Sequence, residues 1–431
     1  MTSMVTANYG VDKNQIFDAN DNSRSRVIPL VYPGNLFYTQ EFSNPTAYTG
    51  SGSGSTFGFR RQVNYPFFGG RFIAYSAGAK PAVDCTYGVG TVASALPAVV
   101  ASNFVVPTWG GGYAGPVAAS QWKGTASASI IEFAVSDPFA LPSIARTDGG
   151  SGYLVEGRVF VALNTTTVYS TAVDILTNPV ELITAGGVSF AGFSKAGADY
   201  ASTNQSGFTS VGTATNYIFG DLVLFTDSSI YTVASGGDSI SKGQASTDGR
   251  SSEIKLACDA LTAAGVANVS YLQHTRPGQG VDNYANSAIN FILTFRPNIF
   301  FYTPNSPNDS GLNVATTLNR TKNWLGAIKQ ACDNVGTKLV LCSSTPWAPF
   351  TGAQDAADQA YYVTLRILAQ VMGVPFLDRY ALTTNGASPS SLLSGFAYPS
   401  GTANQQAHPN DTCYAFLSPF AQTIIRSILG K

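Results

Sequence analysis

From about residue 230 onward the chain alternates short apolar runs with amphipathic stretches, and that alternation leaves few folds open. The strand candidates are "SIYTVAS", "ANVSYLQ", "NIFFYTP", "TKLVLCSS" and "VPFLD". Between them stand the helical stretches "SSEIKLACDALTAAG", "NYANSAINFILTF", "ATTLNRTKNWLGAIKQACDNVG" and "AQDAADQAYYVTLRILAQVMG", and "CYAFLSPFAQTIIRSILG" closes the chain. Trp324, Leu325, Ile328 and Cys332 share one face of the third helical stretch. Gly336 and Gly373 fall just past helix ends, where a left-handed cap is wanted. Apolar strands separated by helices predict an α/β domain over 230–431, with a five-stranded parallel sheet covered on both faces. A sheet of that kind binds its ligand at the carboxyl ends of its strands.

Residues 1–229 follow a different pattern. Runs such as "RVIPLVYP", "NLFYTQEF", "GRFIAYSAG", "SASIIEFAVS", "GYLVEGRVFVAL", "TVYSTAVDIL" and "NYIFGDLVLFTD" are short and rich in β-branched and aromatic residues. Turn-rich clusters separate them, among them "TWGGGYAGP" and "TGSGSGSTFG", the latter expected as a flexible loop. The expectation is an all-β sandwich, jelly-roll-like, preceding the α/β domain. Two domains also suit a chain of 431 residues.

Composition narrows the partners. Charged residues make up only 11% of the chain, against a usual level of about 25%. Its solvent face must therefore be built from Ser, Thr, Asn, Gln, Gly and Tyr, which suits neutral polymers such as glycans. Nucleic acid calls for clustered Lys and Arg, and a formal net charge of −1 offers no funnel for polyanions. No run of about 18 apolar residues exists, so no membrane span is expected. With two histidines, a metal site of three or more is excluded, and the cysteines have no CxxC spacing for zinc. Buried thiols are the expected state of the five cysteines, with a Cys332–Cys342 disulfide left open. The N-terminus, "MTSMVTANYGVDKNQ", has neither a basic n-region nor an apolar h-region. That is expected of an intracellular chain, a mature form, or a protein that leaves the cell as part of a phage particle.

The carboxyl-end rule can be tried on the sequence. Gly236-Gly237-Asp238-Ser239 follows the first predicted strand, "QHTRPGQG" the second, "PNSPND" the third and "SSTPWAP" the fourth. "NQQAHPND", with His408, lies in the long loop after the fifth. A serine, glycines, an asparagine and a histidine thus fall on one rim. This half resembles the SGNH hydrolases, or GDSL-type esterases, over about 200 residues. "GGDS" resembles the first family block, with Ser239 as nucleophile. "RPGQG" resembles the glycine block through Gly278, with Gly280 as second choice, and "SPND" resembles the GxND block, with Ser306 in place of its glycine and Asn308 retained. "HPNDTCY" resembles the last block, with His408 as base and Cys413 where glycine is common. Four blocks in order, each after its strand, are far more specific than a lone GDS.

The resemblance implies a flavodoxin-like catalytic domain that hydrolyses an ester through an acyl-serine, with no cofactor and no metal. A serine hydroxyl needs a base to take its proton, and His408 supplies the imidazole. The oxyanion formed on attack needs donors already aimed at it. The family supplies the nucleophile's backbone N–H, that of the block glycine, here Gly278, and the side-chain amide, here of Asn308. One position departs from the pattern: an aspartate usual three residues before the histidine is Gln405, between Asn404 and Gln406. The readings are a Ser–His dyad with a neutral orienter, which is favoured, an acid from elsewhere such as Asp411, or a weak or inactive enzyme. His274 belongs to no block and is expected as a packed or pocket-lining imidazole.

The expected activity is removal of small acyl groups, acetyl above all, from carbohydrate: a polysaccharide O-deacetylase resembling the carbohydrate esterases of the family. The β-rich half would bind or position the glycan, or serve structure alone. A virion-borne, tail-spike-like location, outside the cell, would suit the polar, Gly-rich first half. A homo-oligomer is left open. The rivals are a lipase or thioesterase of the same family, and a non-catalytic glycan-binding or virion structural protein with a degenerate hydrolase domain.

Overall fold

A computed structural model gives the fold. It describes residues 25–28, 46–48, 55–63, 66–77, 85–94, 102–110, 113–114, 131–161, 168–173, 193–196, 209–210, 216–218, 220–225, 230–247, 251–275, 280–309, 314–350, 352–387, 389–399 and 407–431. Two compact units divide the chain, one built on residues up to Ile230 and one on Tyr231–Lys431.

The second unit is α/β. Its strands are β1 (Tyr231–Gly237), β2 (Val269–Thr275), β3 (Ile299–Tyr302), β4 (Lys338–Cys342) and β5 (Phe376–Leu377). Its helices are α1 (Ser239–Lys242), α2 (Glu253–Ala263), α3 (Val281–Phe295), α4 (Val314–Val335), α5 (Gly352–Val371), α6 (Arg379–Thr383) and α7 (Asp411–Leu429). All neighbouring strands are parallel, in the order β2-β1-β3-β4-β5. That is the doubly wound order of flavodoxin-like folds, whose crevice opens where the order reverses, between β1 and β3.

Side-chain alternation explains why both faces carry helices. Val233, Ile299, Phe301, Val340 and Cys342 pack on Ile254, Cys258 and Leu261 of α2 and on Ala421 and Ile425 of α7. The intervening Ala234, Phe300, Leu339 and Leu341 are equally buried. On that side the Phe300 ring lies 6.1 Å from Phe291 of α3, which also stacks on His274 at 4.8 Å. Each large apolar side chain buried this way contributes about 1.5–3 kcal/mol. His274 is fully buried, as a packed imidazole. Leu325, Ile328 and Cys332 of α4 are buried too, and Trp324 donates its indole N–H to Asp282 at 2.7 Å. Gly336 and Gly373 adopt φ of 77° and 63°, and the N–H of the residue after each glycine reaches back to the carbonyls of Cys332 and Ala369. Among the described residues no helix is long and apolar enough to cross a membrane.

Four cysteines are in the expected state, and one loop expectation needs correction. Cys332 and Cys342 are both buried thiols, as are Cys258 and Cys413, so no disulfide joins the first two. One sits on a helix and the other on a sheet strand, each inside apolar packing. The stretch "TGSGSGSTFG" is not a loop to its end. Ser55 to Gly58 open a nine-residue strand that pairs antiparallel with Tyr153–Val161. A long partner strand overrides the weak propensity of small residues.

The described elements of the first unit are antiparallel strands. Tyr153–Val161 lies between Ser55–Val63 and Cys85–Val92, and Gly69–Ala77 pairs with Gly220–Phe225 and Ile131–Val135. Phe72 from one of these sheets and Tyr87 from the other meet at 5.0 Å, and Trp109 closes on Tyr87 at 5.6 Å. The turn-rich "TWGGGYAGP" carries a small antiparallel pair, Thr108–Trp109 with Tyr113–Ala114.

Helix α5 fixes the loop after β3. The Tyr361 hydroxyl donates to the Pro304 carbonyl at 3.1 Å, and Tyr362 accepts from the Asn305 amide at 3.2 Å. Burial, opposed by a hydrogen bond with Tyr362 and reinforced by Asp355, pushes the nearby Asp358 carboxyl from 3.8 up to about 7. The folded chain therefore holds a proton that the unfolded chain has released. Stability falls as pH rises from about 4 to about 7 and is flat above that. Asp358→Asn is expected to melt at a temperature that changes less than wild type between about pH 5 and about pH 8, and to be the more stable at the upper end. A variant tracking the wild-type pH curve would show that Asp358 does not titrate there.

Candidate active site

The first strand ends in two glycines for steric reasons. A Cβ on Gly236 would lie 2.6 Å from the Phe300 ring, and one on Gly237 would lie 2.4 Å from Ser241 Oγ. The chain turns there, and Asp238 caps α1 by accepting from the Ile240 N–H at 3.0 Å. Burial pushes the Asp238 carboxyl above its ordinary value, while hydrogen bonds from Ser306 and the Ile240 N–H pull it down. The cap is thus Asp238, which leaves the Ser239 hydroxyl for other work. Ser239 Oγ lies 2.9 Å from His408 Nε2, joining residues 169 positions apart.

His408 is held from both sides along the backbone. Its carbonyl accepts from Tyr398 N at 2.9 Å, and Pro409 bridges Ala397. Asn410 caps α7 through Cys413 N at 3.1 Å while its own amide bonds the carbonyls of Gly395 and Ala397. The Trp347 indole stands edge-on to the imidazole, with centroids 5.0 Å apart and an 82° angle between rings. Asp411, the carboxylate weighed as an acid from elsewhere, is committed differently. Its two oxygens accept from the Thr247 N–H, at 2.9 Å, and from the Thr247 hydroxyl. A carboxylate at the first turn of α7 stabilises that helix end and ties in the 247 loop.

Asn308 sits on the 3-10 turn Pro307–Asp309, at the carboxyl end of β3. Its amide donates to Ser306 Oγ at 2.8 Å, and Ser306 in turn donates to Asp238 Oδ2 at 2.5 Å. Asn308 therefore joins the nucleophile's turn through one intervening hydroxyl. Gly280, the second choice for the oxyanion glycine, has a visible structural task. Asp309 accepts the Val281 N–H at the start of α3, at 3.1 Å, and a Cβ on Gly280 would meet that carboxylate at 2.3 Å. Gly278 and Gln405 lie outside the described residues.

Ser239, His408 and Asn308 are thus drawn to one rim, beside the β1/β3 crevice. Three contacts escaped the sequence reading. Ser306 bridges Asp238 and Asn308, Asp309 caps α3, and Trp347 flanks His408. Ser306, Asp309 and Trp347 stood in view, in "SPND" and "SSTPWAP" just after strands, but neither pattern names the partner each one meets. The arrangement suits proton removal from a hydroxyl by an imidazole, with a side-chain amide on the same rim.

No protein-family model and no curated protein sequence matches the chain. Solved structures do match. A GDSL-like lipase from Bacteroides thetaiotaomicron is 15% identical, over 46% of this chain and 88% of its own, with a TM-score of 0.35. A carbohydrate esterase family 3 protein from Talaromyces cellulolyticus is 17% identical, over 47% of this chain and 99% of its own, with a TM-score of 0.36. A family two carbohydrate esterase from Cellvibrio japonicus is 12% identical, over 95% of this chain and 96% of its own, with a TM-score of 0.35.

Proposed function

We propose that the Tyr231–Lys431 unit is an SGNH-type serine esterase that removes small acyl groups, acetyl first among them, from carbohydrate. The observation that carries this reading is the 2.9 Å contact between Ser239 Oγ and His408 Nε2 at the carboxyl rim of a parallel sheet. In this mechanism His408 takes the Ser239 proton as Oγ attacks the acyl carbon. The oxyanion is met by the Ser239 and Gly278 N–H groups and the Asn308 amide. The sugar hydroxyl leaves with the proton from His408. Water, deprotonated by His408, then releases the acid and restores the serine. Gln405 is the neutral orienter of the imidazole. The carbohydrate substrate is inferred from a surface with few charges, 11% of residues, and from the block resemblance. Residues 1–229 serve in this proposal as a jelly-roll-like sandwich that binds or positions the glycan, on a tail-spike-like or otherwise extracellular protein.

The test is acetate release from a panel of O-acetylated polysaccharides, run beside Ser239→Ala and with an acyl-length series. Acetate release that disappears in the variant, with rates peaking at acetyl, is expected. Rates that climb toward long chains would assign a lipase or thioesterase instead. Absence of Ser239-dependent turnover on every ester would favour the binding-protein reading, which the missing carboxylate at Gln405 supports.

A further inference from the structure

We infer that Ser306 is a positioning residue that locks the Asn308 amide to the turn bearing Ser239, an inference that rests on the esterase reading above. Ser306 is 6% exposed, and its hydroxyl makes three hydrogen bonds. It accepts from Asn308 N at 3.2 Å and from Asn308 Nδ2 at 2.8 Å. A serine oxygen has two lone pairs and one hydrogen. With both lone pairs taken by N–H donors, the hydrogen must go to the third partner, Asp238 Oδ2, at 2.5 Å. The donor count thus fixes the direction of the chain: amide to hydroxyl to carboxylate. Asp238 Oδ1 accepts in addition from Ile240 N, so the same side chain caps the helix that Ser239 begins.

The consequence is geometric. Asn308 is exposed on a three-residue turn, and its backbone N–H and side-chain amide both converge on the one Ser306 hydroxyl. Ser306 fixes its amide plane relative to a buried residue adjacent in sequence to the nucleophile. An oxyanion donor is effective because it is aimed before charge develops. A hydroxyl that donates to a carboxylate is also a stronger acceptor, so Asp238 tightens the grip on Asn308. The glycine of the block that "SPND" resembles has no side chain and could make none of these side-chain bonds.

Ser306→Ala is expected to lower kcat on an activated acetyl ester about 10–100-fold with KM nearly unchanged, the size of a misplaced catalytic group. Ser306→Thr, which keeps the hydroxyl, should recover most of the rate. Ser306→Gly repeats the test should the alanine variant fold poorly. In an Asn308→Ala background the Ser306→Ala change should cost less than about threefold, because the group it positions is gone. Wild-type kcat in Ser306→Ala and Ser306→Gly, or an undiminished loss in the Asn308→Ala background, would overturn the role while leaving Ser239-dependent esterase activity intact. Turnover by the wild-type chain that does not depend on Ser239 would remove the esterase reading and this role with it.

Discussion

Ser239→Ala is expected to lower kcat on an activated aryl acetate by about 10⁴–10⁶-fold, the cost of deleting the nucleophile in related Ser–His systems. His408→Ala should cost nearly as much alone, and the double variant little more than either. The reason is that Ser239 Oγ and His408 Nε2, 2.9 Å apart, act as one unit: attack and proton removal occur in the same step. Gln405→Ala should keep turnover at a reduced rate, since a neutral acceptor orients the imidazole without balancing the charge it acquires. Steady-state kinetics of the four variants decide the matter. Losses that multiply in the double variant would mean the two residues act independently, and wild-type rates in Ser239→Ala would move the chemistry elsewhere.

What the sequence made legible follows from locality. Strand and helix positions in the second unit could be read because apolar period and glycine stops are local signals, as Gly336 and Gly373 illustrate. The blocks could be placed because the carboxyl-end rule converts strand position into site position. Relations between distant residues could not be read. Ser306 meets Asp238 across 68 positions, and Arg379 meets Glu253 across 126. No local pattern marks either. Strand "VPFLD" pairs only over Phe376–Leu377, because Asp378 leaves the ladder to cap α6 through Ala381 N. Residues 55 to 58 of the "TGSGSGSTFG" run hold one such case in Ser55, whose strand character comes from its partner Val161. The bond between Asp411 and Thr247 was out of reach for the same reason, since 164 positions separate them.

The buried pair Arg379–Glu253 should be the costliest to break outside the catalytic contact. Both side chains are essentially inaccessible to water. Arg379 Nε donates to Glu253 Oε1 at 2.8 Å, and a second guanidinium nitrogen meets the same oxygen. The third nitrogen reaches Thr303 Oγ1 at 2.8 Å, Ser241 Oγ at 3.3 Å and the Ser343 carbonyl at 3.4 Å. Those partners stand in α1, after β3 and after β4, so one guanidinium ties together the segments that carry the site. Burial alone would lower the guanidinium's affinity for its proton, and the Glu253 carboxylate more than restores it. Arg379→Met leaves that carboxylate buried without its cation, for which a loss of about 3–5 kcal/mol is expected. Replacing both partners, as Arg379→Met with Glu253→Leu, should recover part of the loss, because no unpaired charge is then left inside. Urea unfolding of the two variants, followed by a probe in the Tyr231–Lys431 unit, reads both effects. An Arg379→Met midpoint equal to wild type would show that the carboxylate takes up a proton or reaches water at little cost. A double variant no better than the single would place the energy in the Thr303, Ser241 and Ser343 bonds, and so in the geometry of the strand ends, not in the ion pair.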